Sequence, residues 1–93
     1  MKNFQSEVVT LITNVGEIVG RLKSYDDNTV TVINPRLFIQ SEQGTGFLPT
    51  IGITAEREPE ELVFQRNSIL TVIKTFDDVA KAWQQSVSGI VLT

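Results

Sequence analysis

"GEIVGRLKSYDDNTVTVIN", from Gly16 to Asn34, carries the pattern from which the fold is predicted. Apolar and β-branched residues fill both ends of it, and Asp26, Asp27 and Asn28 stand between them. Val, Ile and Thr favour strands, whereas short polar side chains hydrogen-bond their own backbone and favour turns. The stretch therefore predicts two antiparallel strands, near residues 17–25 and 29–33, joined by a turn at residues 26–28.

The residues before this turn predict one more strand and a bend. Residues 8–13 read VVTLIT and are followed by Asn14-Val15-Gly16, in which Asn and Gly tolerate the positive φ of a tight hairpin. Gly20 lies inside the second strand, where a glycine marks a sharp bend or a close approach of two backbones. We therefore expect a hairpin over residues 8–25 and a second strand that curls at Gly20.

Residues 34–74 predict an arm and two short strands. Pro35 cannot donate to a sheet, so the third strand should bulge near Asn34 and resume through residues 37–39. Residues 42–60 combine glycines and prolines with apolar side chains that need cover, which predicts an extended hairpin arm. "ELVFQRNSILTVIKT" then predicts strands at residues 62–65 and 69–74, separated by a tight turn.

The last segment changes to a helical period. Thr75-Phe76-Asp77-Asp78 resembles a capping box, and apolar residues follow at helical spacing. The whole chain, residues 1–93, is predicted to be one mainly β domain. We expect a five-stranded, strongly bent antiparallel barrel over about residues 8–74, with an extended arm between its third and fourth strands. A C-terminal α-helix over about residues 77–89 should pack its apolar stripe on the barrel.

The composition narrows the classes of function. Hydrophobic residues make up 41% of the 93 residues and charged residues 20%, as in folded globular proteins. There is no cysteine, which excludes thiolate chemistry and cysteine metal sites, and no histidine, the side chain best suited to acid–base catalysis near neutral pH. We therefore expect no enzyme, no catalytic residue, no metal and no cofactor.

Charge and hydropathy give expectations about location and partners. No apolar run approaches the ~20 residues that cross a bilayer, and the N-terminus resembles no export signal. The sequence therefore predicts a cytoplasmic protein without a membrane partner, or one of the host cytoplasm if the source is a virus or phage. The net charge of −3 has the wrong sign for general attraction to nucleic acid, so any such binding must depend on local geometry.

Two motifs in the strands resemble those of the Sm, LSm and Hfq superfamily. The first consists of apolar alternation, a turn glycine, Gly-x-Leu and an Asp four residues after the Leu, and it is matched by Gly16, Gly20-Arg21-Leu22 and Asp26. The second is a short strand, a basic residue in a tight turn and an apolar strand, and it is matched by residues 63–69. The resemblance covers roughly residues 8–38 and 61–74.

This resemblance implies a homo-oligomeric ring of about five to seven subunits. In such rings the Asp turn and the basic turn meet at the pore and bind uridine-rich single-stranded RNA. The residues that the resemblance assigns to RNA are Tyr25, Asp26, Asp27, Asn28, Arg66 and Asn67. Arg66 is the strongest of them because a guanidinium pairs with phosphate and stacks on bases.

The sequence departs from the family's motifs at two of these positions. Asn28 occupies the place of the side chain on which a base stacks, and an amide offers no aromatic platform. Asn67 replaces the glycine of an Arg-Gly pair, and asparagine can adopt the left-handed conformation that glycine supplies there. Structural interpretations stay open as well: Arg66 forming an ion pair with Asp26 or Asp27, and Tyr25 packing under the next subunit of the ring.

The edges of the predicted sheet indicate how copies would assemble. Five short strands in a partly open barrel leave two unpaired edges, here the strands at residues 62–65 and 69–74, and head-to-tail pairing between copies would satisfy both. The residues predicted at this interface are Leu62, Val63, Phe64, Gln65, Ile69, Leu70, Thr71, Val72 and Ile73.

Two functions of different class follow from the sequence. The first is a ring-forming Sm-like protein that binds single-stranded RNA at its pore-side turns, as an RNA chaperone or a ribonucleoprotein scaffold. The second is a structural ring that binds a protein partner and has lost its affinity for RNA. The acidic balance, the long arm and the missing stacking side chain support the second.

Overall fold

The computed structural model describes residues 4–49, 51–52 and 54–88. Among these residues, six strands form one antiparallel sheet and a single α-helix follows them. The elements are β1 (Val8–Thr13), β2 (Gly16–Tyr25), β3 (Thr29–Ser41), β4 (Gly44–Leu48), β5 (Glu61–Gln65), β6 (Ile69–Lys74) and α1 (Asp77–Ser88). The mainly β class and the C-terminal helix are as predicted.

The strands run in the order β4-β3-β2-β1-β6, and β5 also pairs with β3. β3 has 13 residues and serves two partners on one side, because Thr29–Ile33 pairs with β5 and Leu37–Ser41 pairs with β4. The sheet is therefore open and not a closed barrel within the described chain. The count of five strands was wrong, because part of the predicted arm pairs with β3 as β4.

The core lies on one face of the sheet. Residues at alternate positions of β1, β2 and β3 point to the same side, as the register pairs Leu11 with Ile18 and Leu22 with Val32 show. Burial of each such aliphatic side chain stabilises the fold by about 1.5–3 kcal/mol. The fully buried cluster is Val9, Leu11, Ile18, Leu22, Val30 and Val32.

Gly20 and Asn34 mark the irregular part of the β2–β3 pair. A Cβ added to Gly20 would lie 2.3 Å from Cγ1 of Val32 and 2.9 Å from the carbonyl oxygen of Ile33, so the two strands approach too closely for a side chain. The register shifts between Val19 and Arg21, and Asn34 has a positive φ of 50°. The irregularity expected before Pro35 is confirmed, and it is the point at which β3 changes partner.

The β1–β2 hairpin closes over Asn14 and Val15, with Thr13 opposite Gly16. Gly16 takes the positive φ, 132°, whereas Asn14 does not. The hydroxyl of Thr13 donates to the carbonyl oxygen of Gly16 at 2.9 Å, which holds the turn. The predicted hairpin is confirmed, and glycine alone supplies its unusual backbone conformation.

The helix packs against the face of the sheet opposite the core. Trp83 is buried, and its Nε1–H donates to the carbonyl oxygen of Asn34 at 2.9 Å. The guanidinium of Arg21 lies over the Trp83 ring, 5.7 Å from its centroid. The hydroxyl of Thr75 bonds that of Thr10 at 2.9 Å, so Thr75 ties the start of the helix to β1. The predicted helix end at residue 89 lies outside the described residues.

Arg36 and Asn34 fix the returning end of the arm. Arg36 is buried, and its Nη1 donates to the carbonyl oxygens of Pro35 and Pro59 at 2.8 and 3.2 Å. The N–H of Asn34 donates to the carbonyl oxygen of Glu60 at 2.8 Å. These bonds position the chain where it enters β5.

Candidate functional site

The turn between β2 and β3 is built around one carboxylate. Oδ1 of Asp26 accepts hydrogen bonds from the backbone N–H groups of Asn28 and Thr29, both at 2.7 Å, and the N–H of Asp26 donates to Thr29 O at 2.9 Å. The bond from Asn28 and then that from Thr29 lower the pKa of the Asp26 carboxyl, and the charge of Arg66 adds a smaller effect. Asp26 therefore acts mainly on its own turn.

The turn between β5 and β6 is a single 3-10 turn, Arg66–Ser68. The hydroxyl of Ser68 donates to Gln65 O at 2.6 Å and closes it. Asn67 has no positive φ, so the expected left-handed asparagine is wrong: the 3-10 conformation makes the turn without one.

Arg66 joins the two turns. Its backbone N–H donates to the carbonyl oxygen of Asn28 at 2.8 Å, and its Nη1 donates to the carbonyl oxygen of Asp26 at 2.7 Å. Both contacts are to backbone oxygens, and the predicted alternative of an ion pair through a carboxylate is not the contact that forms. The structure thus brings the Asp turn and the basic turn together, although they lie 40 residues apart in the chain.

The six residues that the resemblance assigned to RNA occupy different environments. Arg66 is partly buried between the two joined turns, and the exposed residues on them are Asp26, Asp27, Asn28 and Asn67. Tyr25 is partly buried and packs against the core cluster of its own chain. The exposed side chains of this surface are thus two amides and two carboxylates, with part of one guanidinium.

β5 and β6 each pair on one side only among the described residues, β5 with β3 and β6 with β1. Their other sides carry unpaired backbone donors and acceptors. Three large apolar side chains of these strands are more than half exposed: Val63 at 58%, Leu70 at 68% and Ile73 at 52%. Both edges are therefore suited to pairing with another strand.

A pocket beside Arg66 did not emerge from the sequence. It has a volume of about 320 Å³ and is lined by Phe4, Val30, Arg66 and residues 69–72. Phe4 lies in a polar segment before the first strand. A lone aromatic side chain in such a segment indicates that the segment packs on the fold, and this is the signal in the sequence that points to the pocket. The other residues that line the pocket, however, lie more than 20 residues from Phe4 in the chain and cannot be identified from local patterns.

No three side chains of the types that bind metals cluster within residues 4–49, 51–52 and 54–88. No helix over these same ranges is long and apolar enough to cross a membrane.

The comparisons with known proteins add no family to this description. No protein-family model matches the chain, and no curated protein matches it either. The resemblance to Sm-like proteins therefore depends on the two motifs alone, and the function is argued from geometry.

Proposed function

We propose that the chain is a ring-forming Sm-like protein that binds single-stranded RNA at its joined turns, residues 26–28 and 66–67. It would serve as an RNA chaperone or as the scaffold of a ribonucleoprotein. The observation that carries this proposal is the double contact of Arg66. Its backbone N–H donates to Asn28 O and its guanidinium donates to Asp26 O, which fixes the guanidinium at the Asp turn.

The length of the β5–β6 connection supports a strongly bent sheet. These strands stand at the two ends of the path β5-β3-β2-β1-β6, which spans ~19 Å in a flat sheet with strands ~4.8 Å apart. Only residues 66–68 connect them, and the four steps from Gln65 to Ile69 reach at most ~14 Å when extended. A 3-10 turn is shorter still. A sheet that curls at this end, as in a barrel-like fold, would bring the two strands within that reach.

The two unpaired edges support assembly into a ring. β5 of one copy and β6 of the next would form a continuous sheet, cover Val63 and Leu70, and leave no edge when the ring closes. A ring of about five to seven copies would repeat the joined turns around its centre. A strand of RNA could then contact several identical sites.

The exposed groups at the turns have the chemistry of RNA recognition. A guanidinium carries five N–H donors in a planar fork, of which the bond to Asp26 O occupies one, and the fork suits phosphate oxygens and base edges. The amides of Asn28 and Asn67 can donate to and accept from the edges of unpaired bases. The net charge of −3 per chain opposes polyanions, so we expect an affinity that falls with salt and depends on this local donor set.

Fluorescence anisotropy with labelled uridine-rich and adenosine-rich oligomers tests RNA binding. Arg66→Gln should weaken binding at least about tenfold, because it removes a charge-assisted contact. Arg57→Gln, the same change at an exposed position of the arm, is the control and should leave the affinity unchanged. Absence of any binding by the unmodified protein at low salt would contradict the RNA function.

A second pair of variants separates loss of the site from loss of the fold. Asn67→Asp adds a negative charge to the exposed turn and should weaken RNA binding. The fold should stay intact, because Asn67 is exposed and the contacts that join the turns are made by Arg66. Gln43→Glu makes the equivalent change at the exposed tip of the β3–β4 hairpin and should have no effect.

Light scattering tests the ring independently of RNA. The unmodified protein should have the mass of about five to seven chains at micromolar concentration. Leu70→Lys, on the β6 edge, should lower the mass, whereas Val15→Lys, at an equally exposed position in the β1–β2 turn, should not. A stable monomer of the unmodified protein would overturn the ring.

A protein-binding ring without affinity for RNA is the second candidate. The observation that favours it is the pair of acidic side chains, Asp26 and Asp27, at the turn where Asn28 offers no aromatic surface. An assembled mass in light scattering together with no RNA binding at low salt would select this function over the first.

A further inference from the structure

The pocket beside Arg66 is a cavity to which the proposed function assigns no ligand. Its volume of about 320 Å³ lies at the lower end of the range typical of sites for small molecules. We call it the Phe4 pocket; its lining is Phe4, Val30, Arg66, Ile69, Leu70, Thr71 and Val72. Arg66 thus belongs both to the pocket wall and to the joined turns.

The segment that carries Phe4 is fixed to the sheet. The N–H of Ser6 donates to Leu22 O and the N–H of Leu22 donates to Glu7 O, both at 2.9 Å. Arg21 Nη1 donates to Ser6 O at 2.7 Å, and the N–H of Glu7 donates to Phe4 O at 2.9 Å. Phe4 also packs against the core cluster. These bonds hold its aromatic ring at the pocket.

The chemistry of the wall indicates what it binds. An aromatic side chain and the aliphatic groups of Val30, Ile69 and Val72 suit a flat apolar surface, and the guanidinium of Arg66 suits an anion. The hydroxyl of Thr71 can donate to or accept from a polar edge. A planar base attached to a phosphate has these three properties together.

We infer that the Phe4 pocket binds one nucleotide unit, its base against Phe4 and its phosphate at Arg66. This inference rests on the proposed RNA function, which it deepens by giving RNA an aromatic platform that Asn28 does not supply. A nucleotide within RNA and a free mononucleotide share this chemistry, and the experiment treats them separately.

The experiment uses the full chain labelled with ¹⁵N, titrated with uridine 5′-monophosphate and with adenosine 5′-monophosphate. Binding at the pocket should shift the amide signals of residues 69–72 in a saturable way. Three variants accompany it: Phe4→Leu keeps an apolar side chain without an aromatic face, Phe4→Tyr keeps the ring, and Phe76→Leu makes the leucine change at an exposed phenylalanine.

Phe4→Leu should weaken binding of the mononucleotide and of the labelled oligomer by between about fivefold and about 150-fold, the range that loss of one stacked base produces. Phe4→Tyr and Phe76→Leu should stay within about twofold of the unmodified protein. A melting curve for each variant separates loss of the pocket from loss of the fold.

The possible results distinguish the pocket from the RNA function. If the unmodified protein binds the oligomer and Phe4→Leu binds it equally well, the pocket inference is overturned and the RNA function stands. If the oligomer does not bind but a mononucleotide shifts residues 69–72, the RNA function fails and the pocket stands as a mononucleotide site. If neither binds, both fail. A Phe4→Leu protein that loses ring mass but keeps its affinity for RNA also overturns the pocket, because a neighbouring copy then fills it.

Discussion

Replacing Gly20 with alanine tests whether the bend of β2 depends on the absence of a side chain. The added Cβ would lie 2.3 Å from Cγ1 of Val32, about 1.2 Å inside the ~3.5 Å of an ordinary carbon–carbon contact. Val32 is fully buried and β-branched, so it has little freedom to turn away. The carbonyl oxygen of Ile33, at 2.9 Å, belongs to the backbone and cannot move without β3. The two strands must therefore separate.

The expected loss is at the upper end of the range for overpacking, about 3 kcal/mol. In a domain of this size that corresponds to a fall in melting temperature of ~12–24 °C. Urea unfolding and thermal melts followed by circular dichroism, at one fixed protein concentration, measure both. Gly46→Ala is the control, because a Cβ there has no neighbour within 4 Å, and it should stay within about 0.5 kcal/mol of the unmodified protein. A Gly20→Ala protein equally close to the unmodified one would refute the steric argument.

Two further substitutions test the helix contact and the Asp turn. Trp83→Phe removes the bond from Nε1 to Asn34 O and leaves that partly buried carbonyl without its donor. Urea unfolding should therefore show a loss of about 1–3 kcal/mol, and a loss below about 0.5 kcal/mol would contradict it. Asp26→Asn tests the pH dependence: a lowered native pKa stabilises the fold above the unfolded pKa of ~3.9 and stops doing so as the pH falls through the native value. The difference in stability between the unmodified protein and Asp26→Asn should therefore shrink as the pH is lowered from 7 to below about 3, and a difference that does not change with pH would contradict it.

The sequence predicted those parts of the fold that local patterns determine. The hairpin at Gly16, the turn at residues 26–28, the two edge strands and the helix all follow from the spacing of apolar and turn residues. β4 was missed because Gly44–Leu48 contains two glycines and has no strong strand signal; its pairing partner, the second half of β3, makes it a strand. The burial of Arg36 was not predicted either, because it depends on the hydrogen bond to Pro59, which lies 23 residues away in the chain.

For the candidate site, the sequence predicted which turns carry the key residues but not which atoms make the contacts. The motif placed Asp26 and Arg66 on two turns, and the structure brings those turns together. The atoms that meet were not predictable, because Arg66 bonds the backbone oxygens of Asp26 and Asn28, which every residue type has. Phe4 was missed because its contacts are made by a segment fixed to β2 through backbone bonds that leave no trace in the sequence.

The proposed ring assembly and the proposed RNA binding both depend on the turn at residues 66–68. Residues 66–68 determine how far apart the β5 and β6 edges lie, and their first residue holds the Asp turn. If copies close a ring through those edges, an oligomer long enough to reach several joined turns gains affinity from effective concentration, whereas a mononucleotide gains none. Val63→Lys, which changes the β5 edge and alters no residue that lines the Phe4 pocket, should therefore weaken binding of the oligomer much more than binding of the mononucleotide. Equal weakening of both would mean that each subunit binds RNA alone, and that pairing of the β5 and β6 edges has no part in it.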